Sequence, residues 1–227
     1  GSIMSFLGFG CYRVSNRSDV HREALTYAID KGVTLIDTSA NYTDGESEKL
    51  VGEVLKNVLQ SKDRSAFNII SKVGYIQGSN LETYSELNIP DKEIVHFAEG
   101  LKHCIHPVFI EDQIKRSLDR LQLDYLDTYL LHNPEYYLKT EGSDKKEYYR
   151  RIQVAFEKME ELVQRGLIKQ YGISSNTFVD PRDEHTATDL DVVMGAARAF
   201  DENHHFRVIQ FPFNILEMGA IERQYDG

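Results

Sequence analysis

The chain has 227 residues, 41% hydrophobic and 27% charged, which is long and apolar enough to bury a full core and lacks the signature of a disordered polymer. Its formal charge of −10 comes with no Lys/Arg cluster interleaved with aromatics, so the electrostatic footprint of a nucleic-acid binder is missing. Two distant cysteines, Cys11 and Cys104, give no disulfide framework, no apolar run reaches the roughly 20 residues of a membrane span, and no signal-peptide core is present; a cytoplasmic protein is expected.

Helical and strand patterns alternate, as βαβ units around a parallel sheet require. Residues 5–9 form a short apolar strand leading into Gly10 and Cys11. A helix starts at Asp19, carries Ala24, Leu25, Ala28 and Ile29 at helical spacing, and stops at Gly32. Residues 33–36 are the second strand, 47–59 a helix with Leu50, Val51, Val54, Leu55 and Val58 on one face, and 67–71 the third strand. The stretch 74–107 matches neither period and exceeds an ordinary connection, so it reads as an active-site loop insertion. Then follow a helix over 110–121, a strand over 125–131, a long helix over 145–165 ending at Gly166, a strand over 169–173, a helix over 190–200 and a strand over 207–211.

Six βα units are counted, whereas a closed (β/α)8 barrel takes eight and about 250 residues. The pattern is that of an α/β protein, and if these units belong to a (β/α)8 TIM barrel, residues 1–227 form a single domain of it with its C-terminal part missing. The strands near Ser5 and Arg207 would be left as unpaired edges.

Three of the strands end on an ionisable residue: Asp37, Lys72 and His132. On consecutive parallel strands of a barrel, all three meet on the rim where such folds place their chemistry. Tyr42, five residues after Asp37, completes a carboxylate, phenol, ammonium and imidazole set suited to proton transfer at a carbonyl. A phenol with an ordinary pKa near 10 is a poor acid at neutral pH unless a cation lowers it, and Lys72 backed by Asp37 fits that need. His132 would hydrogen-bond and orient the substrate oxygen. The plainer alternatives are that Asp37 is a turn former, that Lys72 snorkels from a barrel end and that His132 is structural.

The segment from Asp37 to Gly52, with Tyr42, Ser47-Glu48 and Leu50-Val51-Gly52, resembles the signature of the aldo-keto reductases. Ser71-Lys72, Leu130-Leu131-His132, the run from Tyr171 to Asn176 and Val208-Ile209-Gln210 resemble that family's later stations in the same order. The resemblance implies a (β/α)8 barrel that binds NADPH, or NADH, and reduces a small-molecule aldehyde or ketone, with Asp37, Tyr42, Lys72 and His132 as the catalytic set. It further implies that Ser174, one or both of Ser175 and Asn176, and Gln210 hold the cofactor's carboxamide, that Gly10, Cys11 and Tyr12 lie beside its nicotinamide ring, and that Asp37 also belongs to the cofactor site. Neutral donors and acceptors of this kind orient an amide. Nothing after Gln210 matches the family's nicotinamide-stacking aromatic or its phosphate-gripping basic segment. Two alternatives are a Schiff-base lyase or aldolase using Lys72, and a non-catalytic regulatory subunit on a reductase scaffold.

Other groups read as bland. His103-Cys104-Ile105-His106 lacks the paired spacing of a metal site, so no metal is expected. His204-His205 reads as a solvated helix end, and Gly8-Phe9-Gly10 lacks the third glycine of a dinucleotide fingerprint. Tyr75, Tyr84 and Phe97 either line a substrate pocket or pack the insertion. The oligomeric state is not legible.

Overall fold

The computed structural model describes residues 8–11, 19–212 and 214–218. Its elements run β1 (Gly8–Gly10), α1 (Asp19–Asp30), β2 (Leu35–Asp37), α2 (Glu46–Val58), β3 (Asn68–Val73), β4 (Tyr75–Ile76), α3 (Asn80–Thr83), β5 (Val95–Ala98) and β6 (Leu101–His103), then α4 (Pro107–Leu121), β7 (Leu126–His132), α5 (Lys145–Gln164), β8 (Ile168–Ser174), α6 (Leu190–Phe200), β9 (Phe206–Phe211) and β10 (Asn214–Glu217). The main sheet has the order β1-β2-β3-β7-β8-β9-β10. Its first six strands are parallel, and β10 turns back antiparallel on β9.

Each helix is punctuated by its own sequence. Gly32 leaves α1 with φ of +95°, a left-handed step that costs glycine little. Pro107 opens α4, where a missing N–H is harmless, and His106 Nδ1 accepts from Val108 N. Asp144 caps α5 by accepting from Glu147 N at 2.9 Å, and Asp189 caps α6. The helices α1, α2, α4, α5 and α6 pack in succession on one face of the sheet.

Strand alternation sorts the sheet into two faces. Ile36, Ile69, Tyr129, Leu131, Tyr171, Ile173 and Ile209 face the helices and join one large core. On the other face, Leu35, Ile70, Leu130 and Val208 meet in a separate small cluster that Ile215 of β10 packs against. Four side chains from four strands touch across this face because the sheet curls into a half-barrel, so the cluster forms the inner layer of the curled sheet. Gly172 sits in the same layer, where a Cβ would overlap the Val208 carbonyl.

The six parallel strands stand close to where the sequence pattern put them, and two expectations need correction. The edge near Arg207 is not unpaired: β10 covers β9, with Asn214 opposite Phe211 and Glu217 opposite Val208. The stretch 74–107 is not irregular either; it carries α3 and a three-stranded antiparallel sheet in the order β4-β6-β5. Short strands of two to four residues with a bulge between His96 and Ala98 show no sustained alternation, so the sequence carries no strand period there. The expected strand at 5–9 is described only from Gly8 onward.

Candidate active site

Strand register assembles the site. Gly10 stands opposite Asp37, Asp37 opposite Ile70, Lys72 opposite Leu130, His132 opposite Ser174, and Ser174 opposite Gln210. Asp37, Lys72, His132, Ser174 and Gln210 each lie two residues beyond a member of the inner layer. They therefore point to the same face one step higher, at the C-terminal ends of the strands.

Lys72 is the hub. Its side chain is 1% exposed, and Nζ donates to Asp37 Oδ1 at 2.6 Å, to the Thr38 carbonyl at 2.9 Å and to Tyr42 Oη at 3.1 Å. Three acceptors match the three hydrogens of an ammonium. Burial alone would favour the neutral amine, but the Asp37 carboxylate, and after it Tyr42, outweigh that and hold the ammonium above its ordinary pKa. Gln210 Nε2 donates to the second carboxylate oxygen of Asp37 at 2.8 Å.

Tyr42 reaches Lys72 through a tight turn. Thr43 and Asp44, with φ of 48° and 53°, are consecutive non-glycine residues in the left-handed region, and Gly45 follows at 84°. Such backbone costs on the order of 1–3 kcal/mol per residue and persists where surroundings fix it. Here Asp44 Oδ1 accepts from both N and Oγ of Ser79 in the insertion. Below the turn, Thr38 and Ser47 hydroxyls meet at 2.6 Å, and the fully buried Glu48 binds Ser71 Oγ and Arg120. The Ser47-Glu48 pair therefore ties α2 to β2, β3 and α4.

His132 stands edge-on to Tyr42, ring centroids 6.0 Å apart. Burial, then the Lys72 ammonium and the neighbouring His103, push its pKa well below the usual histidine range, so the ring is neutral. Nδ1 lies 3.3 Å from Ser39 Oγ, which directs its hydrogen to Asn41 Oδ1 at 2.6 Å.

The remaining predicted positions are placed less evenly. Ser174 is buried on the rim beside His132 and Gln210. Ser175 Oγ accepts from Thr177 N at 3.1 Å, a hydrogen bond of the kind that closes a hydroxyl turn. The exposed Asn176 has its backbone N bonded to Glu135 Oε1. Gly10 is on the rim, and a Cβ there would meet nothing within 4 Å. Cys11 is buried below the rim, its N donating to the Asp37 carbonyl, and burial with the Asp37 charge pushes its thiol up to about 12. Tyr12 lies outside the described residues.

Sequence reasoning missed Thr38, Ser39 and His103. The first two lie between Asp37 and Tyr42, but their partners are distant in the chain. His103 lacks metal-site spacing in the sequence, and its Nε2 is 2.7 Å from the His132 carbonyl oxygen. Tyr75 and Phe97 join an aromatic group with Tyr136 beside His132, whereas Tyr84 packs on the core and binds Lys102. The reading of His204-His205 as a solvated helix end is corrected: His204 is buried, and His205 Nδ1 binds Glu160 Oε2 at 2.9 Å in the loop before β9.

Among the described residues no helix is long and apolar enough to cross a membrane. The chain is 28% identical over 174 residues to the uncharacterised oxidoreductase YqkF of Bacillus subtilis, covering 76% of this chain and 45% of that protein. It is 27% identical over 213 residues to a D-threo-aldose 1-dehydrogenase of a Pseudomonas species, covering 87% and 58%. Among solved structures, the holo form of aldo-keto reductase AKR11C1 from Bacillus halodurans superposes with a TM-score of 0.53 at 29% identity, covering 75% of this chain and 46% of that one. A Klebsiella pneumoniae aldo/keto reductase, solved with NADP and acetate, superposes at 0.53 with 23% identity over 89% and 52%, a likeness of fold. The chain thus spans about half the length of the relatives it matches. With residues 7–199 matching the model of the Aldo/keto reductase family, and with strand order and polar strand ends to suit, the chain belongs to that family.

Proposed function

We propose that this chain supplies the proton-transfer half of an NAD(P)H-dependent reduction of an aldehyde or ketone to an alcohol, with NADPH as the expected cofactor. The observation that carries the reading is Lys72 Nζ held between Asp37 Oδ1 and Tyr42 Oη. Relatives named as an oxidoreductase and an aldose dehydrogenase support it.

When bound, a reduced nicotinamide supplies the hydride. The neutral donors and acceptors of Ser174 and Gln210, adjacent at the ends of β8 and β9, suit its carboxamide, with Asn176 on the exposed side of the same rim. Tyr42 gives its hydroxyl proton to the carbonyl oxygen, and the Lys72 ammonium stabilises the phenolate left behind. Asp37 keeps that ammonium charged and in place. His132, neutral, orients the carbonyl; donation from Nε2 follows once the Ser39 hydroxyl rotates from Asn41 to Nδ1.

A Schiff-base role for Lys72 needs a lone pair on nitrogen, and the charge of Asp37 opposes deprotonation. Borohydride trapping of a carbonyl substrate on Lys72 would reverse that judgement. The central test is titration of the chain with NADPH and NADH by fluorescence, followed by turnover with simple aldehydes and ketones. Weak binding and little consumption of the reduced cofactor are expected, since nothing after Gln210 matches the family's phosphate-gripping segment; no binding of either nucleotide would overturn the reading for this chain.

A further inference from the structure

The insertion between β3 and α4 touches His132 at two points, its backbone and its ring. His103, the last residue of β6, is 2% exposed and places Nε2 2.7 Å from the His132 carbonyl oxygen. That oxygen only accepts, so Nε2 carries the hydrogen. The His103 ring is fixed by stacking on Tyr136, centroids 5.2 Å apart and planes within 7°, and by the edge of Tyr75 at 5.3 Å. Tyr75 in turn lies edge-on to the His132 imidazole at 4.8 Å, and its hydroxyl accepts from Asn133 Nδ2 at 2.7 Å. Gly74 makes the approach feasible: a Cβ there would sit 2.5 Å from His103 Nε2 and 2.7 Å from the His132 oxygen.

We propose that His103 is a positioning residue for His132: its Nε2–H fixes the end of β7 while Tyr75, braced between the two imidazoles, sets the plane of the His132 ring toward Tyr42. The strand end needs such an anchor because Asn133 steps into the left-handed region with φ of 48° immediately after His132. Burial keeps His103 neutral, so it acts here as a donor and not as a charge. The inference rests on the reductase reading for its catalytic consequence; the geometric claim about the His132 ring stands apart from it.

The test uses the full chain with histidine labelled at the ring nitrogens, comparing wild type with His103→Leu, which cannot donate, and His103→Gln, whose amide reaches the same oxygen. Expected in His103→Leu are shifted His132 ring resonances and a kcat for carbonyl reduction lower by about ten-fold, with cofactor affinity unchanged, as for a misplaced orienting group. His103→Gln should restore both. If His103→Leu does not fold, Tyr136→Leu removes the stacking and should shift the same resonances. Unmoved His132 resonances in a folded variant of either kind would overturn the proposal. A wild-type chain without turnover would count against the reductase reading, while the resonances still decide what His103 does.

Discussion

Gln210 donates from Nε2 to Asp37 Oδ2 at 2.8 Å across 173 residues of chain. Asp37 thus divides its two oxygens between Lys72 and Gln210, so the strands β2, β3 and β9 are tied through one carboxylate. The contact is across the curl of the sheet, since β3, β7 and β8 stand between β2 and β9.

Gln210→Glu sets a second carboxylate where the amide now donates. Two carboxylates at that separation raise each other's protonation, so at neutral pH the fold should lose about 1–3 kcal/mol. A carboxylate raised in the folded state is least destabilising once protonated, so the deficit should shrink below about pH 5. Urea unfolding at both pH values checks this, with Gln210→Leu as the uncharged comparison; a pH-independent deficit would contradict it.

Tyr42→Phe keeps the ring against Lys72 and His132 but removes the proton. Carbonyl reduction should fall by about 10²–10⁴-fold in kcat, the usual span for a lost general acid, with nucleotide affinity little changed. Lys72→Met should also lose activity, and in addition it strands Asp37 beside an apolar chain, which should cost about 3 kcal/mol of stability. Steady-state kinetics and urea midpoints separate the two variants. Unchanged turnover in Tyr42→Phe would remove it as the acid.

The buried histidines predict a pH window. His103 is pushed from 6.5 down to about 4 by burial, which the bond to the His132 carbonyl only partly offsets and the Lys139 charge reinforces. His132 is lowered in the same direction by burial, Lys72 and His103. As pH falls below 6.5 the unfolded chain binds protons that the native one refuses, so the contribution of His103 is complete above that value and is lost on the way to 4, and His132 adds a loss of the same sign. For His103 alone the loss is about 3 kcal/mol. Glu111 and Glu147, held at about 2 by Arg165 and Arg150, add their own loss only below 4.5. Urea midpoints followed from about pH 7.5 to about 4 should decline, and less steeply in His103→Gln.

Gly52 tests the helix layer independently of the site. It lies on α2 where α4 ends, and a Cβ would be 2.6 Å from the Arg120 carbonyl and 2.8 Å from the Leu121 backbone. Backbone cannot yield as a flexible side chain does, so Gly52→Ala should destabilise by about 1–3 kcal/mol despite the better helix propensity of alanine. A stabilised variant in thermal unfolding would show that α2 and α4 are further apart.

The parallel strands and their order of appearance are written in the local pattern, because apolar runs such as Tyr129-Leu130-Leu131, buried on both faces of the sheet, have one reading between turn signals. So are the residues that crown them: a polar group ending an apolar strand is a local feature, and Asp37, Lys72, His132, Ser174 and Gln210 all stand at such ends. Tyr42 was legible through its spacing from Asp37, although the strained turn at Thr43 and Asp44 that aims it was not. The rest is set by three-dimensional packing. Whether Gln210 meets Asp37 depends on curl and stagger across intervening strands, and no local pattern encodes either. The β4-β6-β5 sheet and β10 have strands too short for periodicity to register, and their pairing is antiparallel contact made only in three dimensions. His103 looked like an idle histidine in a loop because its partner, the His132 carbonyl, is a backbone atom 29 residues away.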